Sequence, residues 1–262
     1  MGQVMDNLKL MKNVRDLESP QTLLELIAGM EQHMALYQSG IQEIRTKLEI
    51  LQRDARFGEG HNPIDSIKSR IKSPMSIIEK MYRKGFPISL DSMRANLNDV
   101  AGIRVICPFI EDIYTVAQML TRQDDLVVIK EKDYIKNPKP NGYRSYHLVL
   151  QVPVFLSDRK EMVRVEVQLR TIAMDFWASL EHQIHYKTSC EVPDSVVDEL
   201  KQCADIIAQT DERMQQLSKQ IRCFNAQPTS EGGEEAQEHP LGSLISASVV
   251  GIAGGMAGSH ND

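Results

Sequence analysis

Residues 162–170 read MVRVEVQLR, and residues 171–187 continue at once as TIAMDFWASLEHQIHYK. The first stretch alternates without a break, which predicts a strand. Val163, Val165, Val167 and Leu169 point to one side, and Arg164, Glu166, Gln168 and Arg170 to the other. The second stretch has helical spacing and follows with no Gly or Pro between them. A strand with one apolar face, running straight into a helix, belongs to a sheet covered by helices.

Three further strands read out on either side. AGIRVIC (101–107) is a short apolar run closed by Pro108, and LVVIK (126–130) follows a helix over 111–122. In NGYRSYHLVL (141–150), Asn-Gly is a turn signal. The residues after it alternate, with Tyr143, Ser145, His147 and Val149 on one face. Helical periodicity begins at Ser19-Pro20, breaks near Gly40, resumes and ends at 57–60. The stretch HNPIDSIKSRIKSPMSIIEKMYRKG then reads as a turn, a polar segment and a helix that stops at Gly85. Val197, Leu200, Ala204, Ile207, Met214, Leu217, Ile221 and Phe224 repeat at near-heptad spacing, so a long helix over 193–224 is expected to pack on another helix or subunit. Four strands interleaved with helices predict an α/β (α+β) domain with a mixed β-sheet flanked by helices. Its bounds are 1–224, with a motif-bearing core at 60–190 and helical arms at 20–56 and 193–224. A Gly/Ala/Ser-rich tail, 225–262, is expected to be disordered.

Composition narrows the function. A formal net charge of −6 argues against a generic nucleic-acid coat. Cys107, Cys190, Cys203 and Cys223 show no zinc-type spacing and suit a reducing, cytoplasmic compartment. Residues 241–258 carry no charge, but eleven of the eighteen are Gly, Ala or Ser, too weak a hydrophobic drive for a membrane span.

The charged residues cluster. Lys68, Arg70, Lys72, Lys80, Arg83 and Lys84 stand against one acid, Glu79. Such a set suits a polyphosphate, or is simply a solvated face. Asp99 and Arg104 flank and enter the apolar strand 101–107, where the arginine needs a partner or a cleft. In KEKDYIKNPKPNGYRSYH (130–147) lysines lead to Tyr143, a ring that suits stacking on a base. Glu166 is a carboxylate on a rigid strand, able to hold Mg²⁺ or take a proton. Asp175, Ser179 and His182 line one helix face; His182 and His185 lack a third ligand for a metal.

Five segments in series, RIKSPMSIIEK, LNDVAGIRVIC, NPKPNGYRSYH, EVQLRT and DFWASLEHQIHYK, make the chain resemble the synthetase domain of the RelA/SpoT family, and its small alarmone synthetases above all. The resemblance implies a nucleotidyltransferase-like fold and transfer of pyrophosphate from ATP to the 3′-hydroxyl of GDP or GTP, giving AMP and ppGpp or pppGpp. By the same resemblance Arg70 and Arg104 hold the adenine, and Lys72, Lys80 and Arg83 the ATP phosphates. Asp99 and Glu166 bind Mg²⁺, with Glu166 also activating the hydroxyl. Tyr143 stacks on guanine, His147, Lys132 and Lys139 meet the acceptor phosphates, and Gln168, Asp175 and Glu181 fall at acceptor-pocket positions. Asp175 stands where small members are expected to carry asparagine, Lys132 stands where many relatives carry arginine, and the linker KGFPISLDSMRAN (84–96) is longer than usual. The resemblance also implies a homotetramer, with alarmone or single-stranded RNA as candidate regulators. No His-Asp dipeptide is present, so a synthetase without a hydrolase is expected. Two other readings remain: transfer to another acceptor, such as the tRNA 3′ end or an adenosine nucleotide, and a non-catalytic nucleotide- or RNA-binding regulator.

Overall fold

The computed structural model describes residues 20–58, 61–187 and 193–226. Residues 1–220 make one compact unit and 221–262 a second, of which 221–226 are described. Residues 225 and 226 of the expected tail end a helix, and the rest of the tail, with its uncharged stretch, lies outside the described residues. In chain order the elements are α1 (Pro20–Gly58), β1 (Ser66–Ile71), α2 (Pro74–Arg83), α3 (Leu90–Asn96), β2 (Ala101–Cys107) and α4 (Ile110–Thr121), then β3 (Val127–Asp133), β4 (Tyr146–Phe155), β5 (Lys160–Thr171), α5 (Ile172–Lys187) and α6 (Asp194–Ala226). The five strands form one sheet in the order β1-β2-β5-β4-β3. Only β2 and β5 are parallel; the other pairs are antiparallel. The sheet is therefore mixed, as expected.

One face of the sheet is apolar. Ile103 and Val105 of β2, Val163, Val165, Val167 and Leu169 of β5, and Leu148, Leu150 and Val152 of β4 are all buried. They pack with Ile41, Ile44 and Leu48 of α1 and with Ile113, Val116 and Leu120 of α4 in a single core. Burial of these side chains, at about 1.5–3 kcal/mol each, is the main force that fixes the register. The opposite face is polar and open, and on it the chemistry-bearing residues collect.

The structure corrects four readings. A fifth strand, β1, occupies the segment read as merely polar: SIKSRI is a half-exposed edge strand with no apolar stripe, and only its pairing with β2 defines it. The strand after Asn141-Gly142 begins at Tyr146, not Tyr143. Ser145 is buried and donates from its hydroxyl to Leu169 O at 3.1 Å, so the row of polar residues is not one strand face. The segment 84–96 is not plain linker, since it carries α3, capped by the Ser89 side chain on Ser92 N. Finally, α1 runs through Gly40 unbroken.

At Gly40 the missing side chain has a packing cause. A Cβ there would stand 2.7 Å from Val163 Cγ1 and 3.1 Å from its Cβ, and a β-branched side chain on a strand cannot yield. In an exposed helix Gly→Ala is stabilising by about 1 kcal/mol. Here Gly40→Ala is expected to be destabilising by about 1–3 kcal/mol, read as a lower midpoint in thermal or urea unfolding.

The junction of β5 and α5 is tied to α6 by the Thr171 hydroxyl, which donates to Asp211 Oδ2 at 2.5 Å and accepts from Met174 N. Burial raises the Asp211 carboxyl pKa, with Glu212 adding to the effect and Thr171 opposing it. A carboxyl whose folded pKa exceeds its unfolded one loses its contribution to stability as pH rises from the unfolded value through the folded one. Asp211→Asn, which keeps an acceptor for Thr171, is therefore expected to raise the unfolding midpoint at pH 7 relative to the native chain. At pH 3, where both carboxyls are protonated, the gain should vanish.

Candidate active site

The polar sheet face is laid out by register. β5 sets Glu166 beside Gly102 of β2 and Val149 of β4, and Gln168 beside Arg104 and His147. At the edges β1 adds Lys68 opposite Arg104 and Arg70 opposite Gly102, while β3 adds Lys132 opposite His147. Alternation thus gathers on one face residues from across the whole chain.

Two cavities open on this face. One, of about 380 Å³, is lined by Lys80, Lys132, Tyr134, Lys139 and His147 among others. The second, of about 320 Å³, is lined by Lys68, Arg70, Arg104 and Gln168 among others. Asp99 and Glu166 line both. Both volumes fall in the range of small-molecule sites.

Asp99 stands in the turn between α3 and β2. Its Oδ2 accepts from Lys72 Nζ and Lys80 Nζ, each at 2.6 Å. Ser73, whose hydroxyl accepts from Ser76 N, caps α2, the helix that carries Lys80. Burial pushes the Asp99 carboxyl up, but the hydrogen bonds and charges of the two lysines outweigh it and hold the group below the usual carboxylate range. Asp99 Oδ1 is buried and has no hydrogen-bond partner. Glu166 is similar: burial raises it, yet His147 and Gln168 together bring it below its ordinary value. Gln168 Nε2 donates to Glu166 Oε2 at 2.8 Å, and His147 Nδ1 faces Oε1 at 3.5 Å. Two ionised carboxylates, one with an orphaned buried oxygen, are a donor set that fits a hard divalent cation keeping most of its shell for water and phosphate. No group of three or more His, Cys, Asp or Glu among the described residues forms a closed protein cage. His182 is exposed, and the His185 side chain lies outside the described residues.

The loop 134–145 closes on itself through Tyr134 N to Ser145 O, Lys139 N to Tyr143 O and Gly142 N to Lys139 O. Gly142 has φ +85°, and a Cβ there would meet Ala204 Cβ of α6 at 2.6 Å, so glycine is required twice over. Arg144 pins the loop to α6 through Ala204 O at 3.3 Å and Asp205 Oδ1 at 3.0 Å. This braced loop holds Tyr143 half-buried against His147, and Tyr143 itself lines neither cavity, the tyrosine of the first being Tyr134. The Lys139 ammonium lies 4.5 Å from the Tyr143 ring centroid and 5.0 Å from that of Tyr134, and the rings of Tyr134, Tyr143 and His147 meet edge to face. Tyr143 Oη and His147 Nε2 are 2.9 Å apart.

Of the residues singled out from the sequence, Asp99, Glu166, Lys80, Lys132, Lys139 and His147 surround the first cavity, and Arg70, Arg104 and Gln168 the second. Lys72 joins them through Asp99. Arg83 is exposed in the last turn of α2 and lines neither cavity, whereas Lys84 lines the first. Asp175 also lines neither. Its Oδ1 takes Arg104 at 3.1 Å and Arg170 at 3.0 Å, making it a charge hub under the second cavity. Burial and then Arg170 lower the Arg104 pKa, though a guanidinium so placed stays charged. Glu181 accepts from Asn141 Nδ2 at 3.3 Å and steadies the Asn-Gly turn. Sequence inspection placed Lys84 in the basic cluster without giving it a role of its own, and it missed Tyr134 and Asn98, which lie inside the quoted motifs without a chemical signature of their own. It also missed Arg170, which alternation put on the polar face without showing that the face is buried at that end.

Comparison with known proteins follows the same pattern. A family model described as a region found in RelA / SpoT proteins matches residues 69–191, from the second half of β1 through α5, with every lining residue of both cavities except Lys68. The chain is 44% identical to GTP pyrophosphokinase YwaC of Bacillus subtilis (strain 168), over 80% of this chain and 98% of that one. The crystal structure of small alarmone synthetase 2 from Bacillus subtilis superposes with a TM-score of 0.67 at 45% identity, covering 73% of this chain and 98% of that one. That of small alarmone synthetase 1 from the same organism, bound to its product pppGpp, gives a TM-score of 0.69 at 34% identity, covering 74% and 98%. A relative matched along nearly its whole length, through the segments that build this sheet face, places the chain in the RelA/SpoT family.

Proposed function

We propose that the chain is a GTP pyrophosphokinase, transferring the β,γ-pyrophosphate of ATP to the 3′-hydroxyl of GDP or GTP to give AMP and ppGpp or pppGpp. One observation carries the reading: the same two carboxylates, Asp99 and Glu166, border two adjoining nucleotide-sized cavities with opposite furnishings. The arginine-lined cavity suits an adenine and its ribose, since guanidinium planes stack on bases. The lysine- and tyrosine-lined cavity suits a second nucleotide with a 5′-polyphosphate. The relative whose structure holds pppGpp supports that second assignment.

The chemistry needs positioning and charge more than a protein nucleophile. The acceptor 3′-oxygen attacks the β-phosphorus of ATP, the bond from that phosphorus to the α,β-bridging oxygen breaks, and AMP leaves with the bond electrons. The hydroxyl proton passes to Glu166, whose neighbours keep it ionised and aimed at the cavity boundary. Lys72 and Lys80 hold two positive charges at Asp99, beside the path of the transferred group. Asp99 and Glu166 are the residues that would hold a magnesium ion, which would supply charge neutralisation for the triphosphate. Tyr143 offers its ring to the acceptor base once Lys139 moves aside, and Lys132, Lys139 and His147 take the acceptor phosphates. Asp175 and Glu181 act through Arg104 and the Asn-Gly turn.

The synthetase unit comprises residues 1–224 and works as a homotetramer in the cytoplasm. Ile172, Phe176, Leu180 and Ile184 recur every four residues along α5, and each is at least 40% exposed, a ridge that suits a partner subunit. No helix among the described residues is long and apolar enough to cross a membrane. Alarmone and single-stranded RNA are the regulators proposed.

The test is incubation with labelled ATP, Mg²⁺ and, separately, GDP, GTP, ATP or tRNA. Labelled ppGpp or pppGpp with AMP release is the expected result. A labelled tRNA end would transfer the reading to the alternative acceptor, and nucleotide binding without AMP would leave a regulator. Glu166→Gln is expected to reduce turnover by at least about 100-fold while ATP affinity stays within about threefold. Tyr143→Ala is expected to raise the acceptor KM by about tenfold or more with little change for ATP, as lost base stacking requires.

A further inference from the structure

Arg170 is the residue of the polar face that no role yet covers. It lies near the end of β5, is 5% exposed, and keeps its Nε buried without a partner. Its NH1 donates to Asp175 Oδ1 at 3.0 Å. Its NH2 donates twice, to Tyr143 Oη at 2.8 Å and to Gln168 Oε1 at 3.1 Å.

The two bonds from NH2 open two arms that meet again. On one arm Gln168 Nε2 donates to Glu166 Oε2 at 2.8 Å. On the other, His147 Nδ1 faces the carboxylate oxygen Glu166 Oε1 at 3.5 Å, which assigns the imidazole proton to Nδ1. In the neutral imidazole Nε2 then accepts, and the Tyr143 hydroxyl, 2.9 Å away, donates to it while also accepting from Arg170. Arg170, Gln168, Glu166, His147 and Tyr143 thus form a closed ring. Every donor in it points away from Arg170 and toward Glu166, because a guanidinium can only donate and an ionised carboxylate can only accept.

We propose that Arg170 is a positioning residue that orients both halves of the acceptor site at once, holding the Tyr143 ring for the base through one arm and the Glu166 carboxylate for the 3′-hydroxyl through the other. The inference rests on the proposed pyrophosphate transfer. The two arms make separable contributions. The tyrosine arm acts on acceptor binding and the glutamine arm on the chemical step. Asp175, shared with Arg104, anchors the ring beneath the ATP cavity.

Steady-state kinetics with ATP and GDP on the full chain separate these effects. Arg170→Lys keeps the charge on Asp175 but cannot make both NH2 bonds. It is expected to raise the GDP KM and lower kcat, each by about tenfold, the scale of a lost hydrogen bond to a charged group, with the ATP KM within about twofold. Tyr143→Phe keeps the ring and removes only the hydroxyl; it should raise the GDP KM with kcat nearly unchanged. Gln168→Met should lower kcat with the GDP KM nearly unchanged. Adding Tyr143→Phe to Arg170→Lys should cost less in KM than the product of the two single effects, since both remove the Arg170–Tyr143 bond. Multiplying effects in the double variant, an ATP KM that moves as far as that of GDP, or a Tyr143→Phe enzyme with native kinetics overturns the proposal. Should Arg170→Lys fail to fold, the Tyr143→Phe and Gln168→Met split decides alone. Native protein that makes no labelled product from GDP or GTP overturns the pyrophosphokinase reading, and this inference with it. Native turnover with unaltered variants overturns this inference only.

Discussion

The parallel pairing of β2 with β5 is the constraint on which the site depends. It sets Gly102 beside Glu166 and Arg104 beside Gln168. Because alternation has a period of two, a slip of one residue would send Glu166 into the core and Val165 into the cavities. The apolar residues of both strands forbid that slip, since Val163, Val165, Val167 and Leu169 would lose their burial against α1 and α4. Catalytic geometry on one face is therefore enforced by packing on the other.

Charge is organised around the same two strands. Positive groups outnumber acids around both cavities, yet the acids sit at the boundary between them. Asp99 draws in Lys72 and Lys80, Asp175 draws in Arg104 and Arg170, and Glu166 collects His147 and Gln168. Each of these three acids has polar partners, as desolvation demands. What remains unpaired is informative: Asp99 Oδ1 and the Nε atoms of Arg104 and Arg170, all at the polar face. Asp99 and Arg104 belong to the cavity lining, whereas Arg170 lines neither cavity.

Much of the fold was legible in the residues. β2 and β5 were read with bounds within two residues, because alternation and a short apolar run are strong local signals. The helix ending before Gly85 was legible for a similar reason, as Gly85 adopts φ +67° just past the Lys84 cap. β1 was not legible. Its six residues carry no apolar stripe, and an edge strand exists only through its neighbour's backbone. Gly40 misled, because a glycine in a helical pattern signals a break unless the strand it lies against is known. Tyr143 and Ser145 misled for a subtler reason. They alternate like a strand, but the Asn141 side chain accepts from Tyr143 N and keeps the chain in a turn until Tyr146.

The sequence alone determined which residue types are present for the chemistry, and in what order: an acid before β2, an acid within β5, lysines on α2 and in the 130–139 loop, and a tyrosine after Asn-Gly. It determined the face each side chain takes along a strand, because that depends only on backbone periodicity. Tertiary structure decided which strands are neighbours, and hence that Asp99 and Glu166 share a boundary. It also decided that Asp175 serves Arg104 and Arg170, that Arg83 lies apart while Lys84 lines a cavity, and that Arg170 is buried at the apex of a ring ending on Glu166. Those outcomes rest on contacts between residues far apart in the chain, set by core packing and by the desolvation cost of every unpaired charge, and neither is written in any local pattern.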